Sequence, residues 1–288
     1  MKVLYWLESI RAPWLDAMML AISQLGGEIL FMAIVIALFW CMDKRKGYYL
    51  MTVGFFGIVA NQFLKLVFRV SRPWIRDPEF TIVEGARAGA TGYSFPSGHT
   101  QNAAAVLGCP ARMARKKGLK ITLWVLYALV GISRMYLGVH TPYDVGVGVV
   151  MGLVLVFGLY PFFSEKNYKP QRMYVLLGVM LALSIAFTTY TRLYPFPADI
   201  EVDNLSHGIK NGYTLTGAVA GMLAAFWLDE HYVHFQTAGS LPAHIVKCVV
   251  GLGLLLGIKT VLKPPMNALF GGDPIADAFR YAIVVFFA

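Results

Sequence analysis

Charge is what this sequence has least of. Only 14% of its 288 residues are charged, and just 16 are Asp or Glu, whereas a soluble globular domain carries about 25% charged residues. Apolar residues make up 57% and mean hydropathy is +0.59, with the excess spread along the whole length. That distribution excludes a soluble globular fold and points to a polytopic membrane protein. Cysteine is scarce too. Cys41, Cys109 and Cys248 lie in or beside apolar runs at no metal-ligand spacing, which reads as buried free thiols and leaves the redox compartment open. No internal repeat, low-complexity segment or flexible linker divides the chain. The N-terminus lacks the charged, apolar and small-residue regions of a removable signal peptide. The net charge of +9 comes from short clusters between apolar runs rather than one basic stripe, so a nucleic-acid partner is not expected.

A membrane-spanning helix needs about 20 mostly apolar residues. Nine runs are candidates, near 25–41, 47–71, 97–113, 120–139, 142–162, 173–192, 213–229, 245–262 and 275–288. The expected fold class is therefore all-α, a polytopic transmembrane bundle. Residues 3 to 24 place Leu4, Leu7, Trp14, Met18 and Ile22 among Glu8, Arg11 and Asp16, the pattern of a helix lying in the membrane interface. The organisation expected is an interfacial segment over 1–24, a catalytic membrane core over 25–192 and additional membrane helices over 193–288, all in one integral membrane domain.

Orientation follows from lysine and arginine in the short loops. Lys44, Arg45 and Lys46 follow the first run. Arg112, Arg115, Lys116, Lys117 and Lys120 follow the third, and Lys166, Lys169 and Arg172 the fifth. By parity these loops share one side, the cytoplasmic one, in a multi-pass protein of the cell membrane. Lys65, Arg69, Arg72, Arg76 and Arg87 fall on the other side. Cations against the topological trend need another reason, and an anionic ligand supplies one.

Three polar constellations interrupt the apolar background. In KLVFRVSRP, residues 65 to 73, Lys65 and Arg72 are seven apart, so on a helix they share nearly one face with Arg69. Pro73 disfavours helix at Arg72. Lys65 alone could equally snorkel to the headgroups; the set of three favours a ligand. In FPSGHT, residues 95 to 100, Ser97 is a natural N-cap, Gly98 lets a ligand approach the backbone, and His99 stands near the anion site of a helix N-terminus. Taken alone, that stretch is also what a capped helix with a solvated histidine looks like. In SRMYLGVHTPYD, residues 133 to 144, Arg134 ends one apolar run and His140 leads into the next. Thr141 with Pro142 can start that helix. Asp144 either closes a capping box with Thr141 or orients His140 as a base–orienter pair does; both roles require a shared carboxylate. Parity brings all three constellations to the outer face. Their combined inventory of cations, backbone donors, two imidazoles and one carboxylate fits phosphoryl transfer without a metal.

These stretches resemble the type 2 phosphatidic acid phosphatase (PAP2) superfamily, whose signature is K-x6-RP, then PSGH, then SR-x5-H-x3-D. Here the three parts are Lys65 to Pro73, Pro96 to His99 and Ser133 to Asp144, in order. The resemblance covers about residues 25 to 162 and implies a PAP2/haloperoxidase-like helical core. It further implies that Lys65, Arg72 and Arg134 hold a phosphate with Ser97 and the Gly98 amide. His140 would attack phosphorus to form a phosphohistidine, Asp144 would orient it, and His99 would protonate the leaving alcohol.

The expected activity is that of a membrane lipid-phosphate phosphatase with its site at the outer leaflet, with no cofactor and no metal. The expected partner is an amphiphilic lipid phosphate drawn from the membrane lipids, such as undecaprenyl diphosphate, phosphatidic acid, phosphatidylglycerol phosphate or a sphingoid phosphate. Arg69, Arg76 and Arg87 could hold a second phosphate, which tilts the choice toward a diphosphate. Phosphotransfer to another lipid headgroup would use the same residues. A lipid-phosphate carrier is a third reading, against which the gathering of polar residues at one face counts. Nothing in the sequence sets the oligomeric state. Gly146, Gly148 and Gly152 read as close helix packing. His207, His231, His234 and His244 read as solvated, and the segment 192–212 reads as a loop long enough to cover the site.

Overall fold

The computed structural model describes residues 1–198 and 200–288, which form helices and no β-strand. Helices α1 (Lys2–Ser9), α2 (Pro13–Gln24), α3 (Glu28–Cys41) and α4 (Lys44–Phe68) are followed by the single turn α5 (Pro73–Arg76). Helix α6 (Gly98–Ala103) continues through a π-helical stretch, Ala104–Gly108, into α7 (Cys109–Met113). The Cys109 N–H bonds to the Ala104 carbonyl five residues back, immediately before Pro110, whose ring cannot continue an ordinary helical ladder. Then come α8 (Lys117–Tyr136), α9 (Pro142–Phe163), α10 (Pro170–Leu193), α11 (Val202–Leu228), α12 (Leu241–Val261), α13 (Lys263–Leu269) and α14 (Ile275–Phe286). The described residues divide into two compact units, Met1–Ile34 with Tyr49–Pro161, and Val35–Tyr48 with Phe162–Ala288.

Five helical segments are long and apolar enough to cross a membrane: 44–76, 117–136, 142–163, 170–193 and 241–269. The pair α2 and α3, bent by 44°, would make a sixth. The nine runs read from the sequence overcount, because hydropathy alone does not see helix length. The helix over 98–113 is short and carries Gln101 and Asn102, α14 has 12 residues, and the first half of α11 is polar. The segment 192–212 is not one loop either. Helix α10 runs to Leu193 and α11 starts at Val202, and Asp199 lies outside the described residues.

In the first unit the helix over 98–113 is the innermost element, buried at every position from Thr100 to Cys109. A three-residue turn joins it to α8, which packs along its length, so the C-terminal end of α8 returns to the N-terminal end of α6. Helix α9 packs on the same inner helix through two glycines. A Cβ at Gly148 would lie 2.9 Å from the Ser97 carbonyl oxygen, and one at Gly152 would lie 2.5 Å from Ala104 Cβ. Gly146 has no neighbour within 4 Å, so the close-packing expectation fits two of the three. Helix α1 is anchored to the protein, with Leu4 and Leu7 buried and Arg11 donating to the Tyr136 and Thr81 carbonyls.

In the second unit α11 and α14 pack most extensively. Gly217 and Gly221 lie against the backbone of Ala278 and Ala282, where added Cβ atoms would clash at 1.9 and 2.1 Å. Arg192 clasps Asp273 with two bonds of 2.8 and 2.7 Å. Cys41 and Cys248 are only half-buried, unlike Cys109.

Candidate active site

All eight residues picked out from the sequence lie in the first unit, at the end where α4 stops, α6 starts, α8 returns and α9 begins. Lys65 is in the last turn of α4, and its Nζ donates to the Thr91 carbonyl at 3.3 Å. Lys65, Arg69 and Arg72 do not share a helical face, contrary to their spacing. Helix α4 ends at Phe68, Arg69 turns the chain at φ +47°, and Arg72 is an extended residue capping α5. Pro73 enforces that extended backbone, and the turn rather than a helix repeat delivers Arg72. Its guanidinium donates to the carbonyls of Gly92 (3.0 Å), Thr91 (2.7 Å) and Val139 (3.0 Å), and Nη1 stands 2.9 Å from His140 Nε2. Gly92 has φ +68°, a conformation that glycine adopts without strain, and this turns its carbonyl toward Arg72.

His140 and Asp144 are both buried. Because Arg72 can only donate, Nε2 of His140 must present its lone pair, which puts the ring proton on Nδ1. Nδ1 lies 3.6 Å from Asp144 Oδ2 and 3.5 Å from Ser94 Oγ. The same Oδ2 accepts the Thr141 N–H at 2.7 Å and the Ser94 hydroxyl at 2.6 Å, while the Asp144 N–H donates to Thr141 Oγ1 at 3.3 Å. The carboxylate is shared between a capping box and the imidazole, as the two roles require. Burial holds the His140 pKa well below the usual histidine range, and the positive charges of Arg72, Arg134 and Lys65 push it the same way. A neutral ring with a nitrogen lone pair is the form a nucleophile needs, and in this structure Arg72 Nη1 occupies that lone pair.

Ser97 caps α6. Its Oγ accepts from the Thr100 N–H and hydroxyl, at 3.4 and 2.9 Å, which leaves its own proton free to donate. The Ser97 N–H is taken by the Asp144 carbonyl at 3.0 Å, tying the α6 and α9 starts together. The N–H groups of Gly98 and His99 open the helix, where no intrahelical carbonyl can reach them. A Cβ at Gly98 would meet only Asn61 Oδ1, at 3.6 Å, an ordinary contact. The protein itself therefore does not demand glycine there. Gly98→Ala should fold normally, with an unchanged thermal midpoint in detergent, yet lose about 10-fold or more in kcat/KM if an anion must approach this backbone. Unchanged kinetics would show that nothing does.

Lys65, Arg72 and Arg134 are 7%, 4% and 2% exposed, and none lies within ion-pair distance of a carboxylate among the described residues. Lysine and arginine are almost never buried so deeply without a partner. Arg134 is the extreme case. Nη1 donates to Ser23 Oγ at 2.6 Å, while Nε and Nη2 are buried with no partner. His99 follows Gly98 in the first turn of α6, with its ring beside Gly89.

Three contributors were not visible in the sequence. Ser94 joins Asp144 to His140, Asn61 donates to the Pro96 carbonyl at 3.2 Å, and Ser23 holds Arg134. Asn61 sits one turn before Lys65 and Ser94 just before the FPSGH stretch, so position offered a signal for both; Ser23 offered none. Of the cations proposed for a second phosphate, Arg87 is committed to Glu84 through two bonds of 2.7 Å. Arg76 lies with Lys2 on the wall of an apolar groove of about 540 Å³ that also includes Val70, Phe95 and Tyr143. The same groove is also lined by Thr141 and Asp144, so of these arginines Arg76 lies beside the site.

The PAP2 superfamily model matches residues 45–168, and the model of a PAP2 superfamily phosphatase transmembrane extension matches residues 213–288. Phosphatidylglycerophosphatase B of Bacillus subtilis is 33% identical over 172 residues, covering 54% of this chain and 79% of that protein. The undecaprenyl-diphosphatase BcrC of Bacillus subtilis is 28% identical, covering 51% and 75%. A dihydrosphingosine 1-phosphate phosphatase of Schizosaccharomyces pombe is 27% identical over 303 residues, covering 97% of this chain and 69% of that protein. No solved structure matches. The signature, the helices that carry it and both models agree: this multi-pass membrane chain belongs to the PAP2 superfamily.

Proposed function

We propose that this PAP2 phosphatase hydrolyses a lipid phosphate monoester or diphosphate through a phosphohistidine on His140, without a metal, at the outer face of the membrane. The observation that carries the reading is the set of three buried cations with no carboxylate within ion-pair distance among the described residues. Taking such charges out of water costs several kcal/mol each unless a counter-charge is supplied, and a phosphate dianion supplies it.

Nε2 of His140 attacks phosphorus in line with the lipid oxygen. Burial and the charges of Arg134, Arg72 and Lys65 hold the His99 pKa down to about 3, so His99 would take up its proton with the phosphate dianion and give it to that oxygen as the bond breaks. Lys65, Arg72, Arg134, Ser97 and the Gly98 amide meet the charge spread over the equatorial oxygens, where fixed donors contribute most. Asp144 stabilises the ring while it carries phosphorus. Water then attacks the phosphohistidine and releases phosphate. The relatives named above act, by their names, on phosphatidylglycerophosphate, undecaprenyl diphosphate and dihydrosphingosine 1-phosphate, which supports a lipid phosphate as the substrate class.

The test is phosphate release by the purified protein in detergent against those lipids. Activity should persist in EDTA and fall with orthovanadate, whose five-coordinate form with an imidazole nitrogen at one apex imitates His140 on phosphorus. Transition-state mimics of this kind bind about 10²-fold or more tighter than substrate. Loss of activity in EDTA with recovery in magnesium would overturn the metal-free assignment. For orientation, a membrane-impermeant thiol reagent should label Ala90→Cys in intact cells and leave Gly118→Cys untouched, and the reverse pattern would place the site inside.

A further inference from the structure

The break between α2 and α3 falls outside the residues matched by the PAP2 models, at the border that the sequence suggested between an interfacial helix over 1–24 and the first apolar run from 25. Yet Ser23, Gly26 and Gly27 are all buried, and three separate contacts join this break to the site. Ser23 Oγ accepts the single hydrogen bond that the Arg134 side chain makes among the described residues, at 2.6 Å. Gly26 lies so close to the start of α6 that an added Cβ would stand 2.3 Å from the His99 carbonyl oxygen and 3.1 Å from Val130 Cγ1. The Asn102 side chain, one turn past His99, donates to the Gly26 and Gly27 carbonyls at 3.0 and 3.3 Å. The 44° bend at this point is what lets Ser23 and Gly26 reach Arg134 and His99 at once.

We infer that Ser23 is a positioning residue for the phosphate site, acting through Arg134, with the α2–α3 break as its mount. A guanidinium offers five donors in a rigid fork. Fixing Nη1 on Ser23 fixes the plane of the fork, and with it the direction in which the unpartnered Nε and Nη2 point. Those two atoms form one side of the fork, the edge suited to two oxygens of a single phosphoryl group. The hydroxyl adds no charge to compete with the phosphate, as a carboxylate at the same place would. Gly26 contributes differently, since only a residue without a side chain lets the break lie on the His99 carbonyl. The inference rests on the proposed phosphate-binding role of Arg134 and adds to it the element that aims the side chain.

A double-mutant cycle on orthovanadate binding, measured calorimetrically on the full chain in detergent, tests it. Ser23→Ala should raise the vanadate Kd about 10-fold, the scale of one hydrogen bond to a charged group. In an Arg134→Lys background, which keeps the charge but loses the fork, the same substitution should change Kd less than about 2-fold. A structural role would give equal effects in both backgrounds, and that result, or no effect in the native background, overturns the inference. Should Ser23→Ala fail to fold, Ser23→Cys enters the same cycle, since a thiol fills the same place and accepts weakly. Vanadate binding by a protein that releases phosphate from no lipid would sink the proposed hydrolysis while leaving the aiming of Arg134 to stand on its own result.

Discussion

His140→Ala should abolish turnover, by at least about 10⁴-fold in kcat, in a protein that still folds and still binds orthovanadate weakly. The size follows from what the imidazole would do. Oxyanion donors and binding residues alone retain some catalysis over water when a nucleophile is removed, but the other imidazole at the phosphate site, His99, is assigned to the leaving oxygen. Nε2 of His140 is held there by Arg72 at 2.9 Å, and His99 would need its proton for the leaving oxygen. Removing the ring also leaves Ser94, Thr141 and Asp144 bonded to one another, so the fold keeps its capping box. Asp144→Asn should cost less, roughly 10²-fold or more. Asparagine can accept the Thr141 and Ser94 hydrogen bonds but cannot offset positive charge on a phosphorylated ring. Phosphate release, a denaturation midpoint and an acid-labile, base-stable phosphoprotein trapped from the native enzyme decide the matter. Substantial turnover in His140→Ala would end the phosphohistidine mechanism.

How the sequence conveyed these residues differs from one to the next. His140 and Asp144 were legible because a helix start fixes their spacing: Thr141 and Pro142 begin α9, so the carboxylate four residues on must fold back over the ring. Ser97 and Gly98 were legible for the same reason, as a cap before an apolar run. Lys65 and Arg72 were found by a wrong geometry, since a helical repeat was assumed where the chain breaks at Arg69. The long apolar runs marked helices well and crossings less well, because a short helix such as 98–113 is buried by its neighbours rather than by its own hydropathy. Ser23 was beyond reach. Its role comes from a contact 111 residues away in sequence, and no local pattern in a serine on an amphipathic helix announces a buried arginine on another.

Arg134→Met should move stability and catalysis in opposite directions. In the absence of ligand the guanidinium is buried with one hydrogen bond and two unpartnered nitrogens, an arrangement that costs several kcal/mol of desolvation with little returned. Methionine has comparable reach, adapts to irregular space and carries no charge, so the substitution removes that cost. Ser23 loses its donor, but a serine within a helix can turn its hydroxyl to a carbonyl of the preceding turn. The ligand-free thermal midpoint in detergent should therefore rise, by about 2–4 °C for each kcal/mol recovered. The rise produced by saturating orthovanadate in the native protein, which reports binding to the folded state, should shrink in the variant. Catalysis should fall by roughly 10²–10³-fold in kcat/KM, the loss expected when one fixed donor to developing charge is removed. Thermal scans of both proteins with and without vanadate, four in all, and an activity assay separate the possibilities. A lower midpoint together with an undiminished vanadate shift would mean that Arg134 braces the helices instead of meeting a phosphate, and the buried positive charge would then require a different counter-ion.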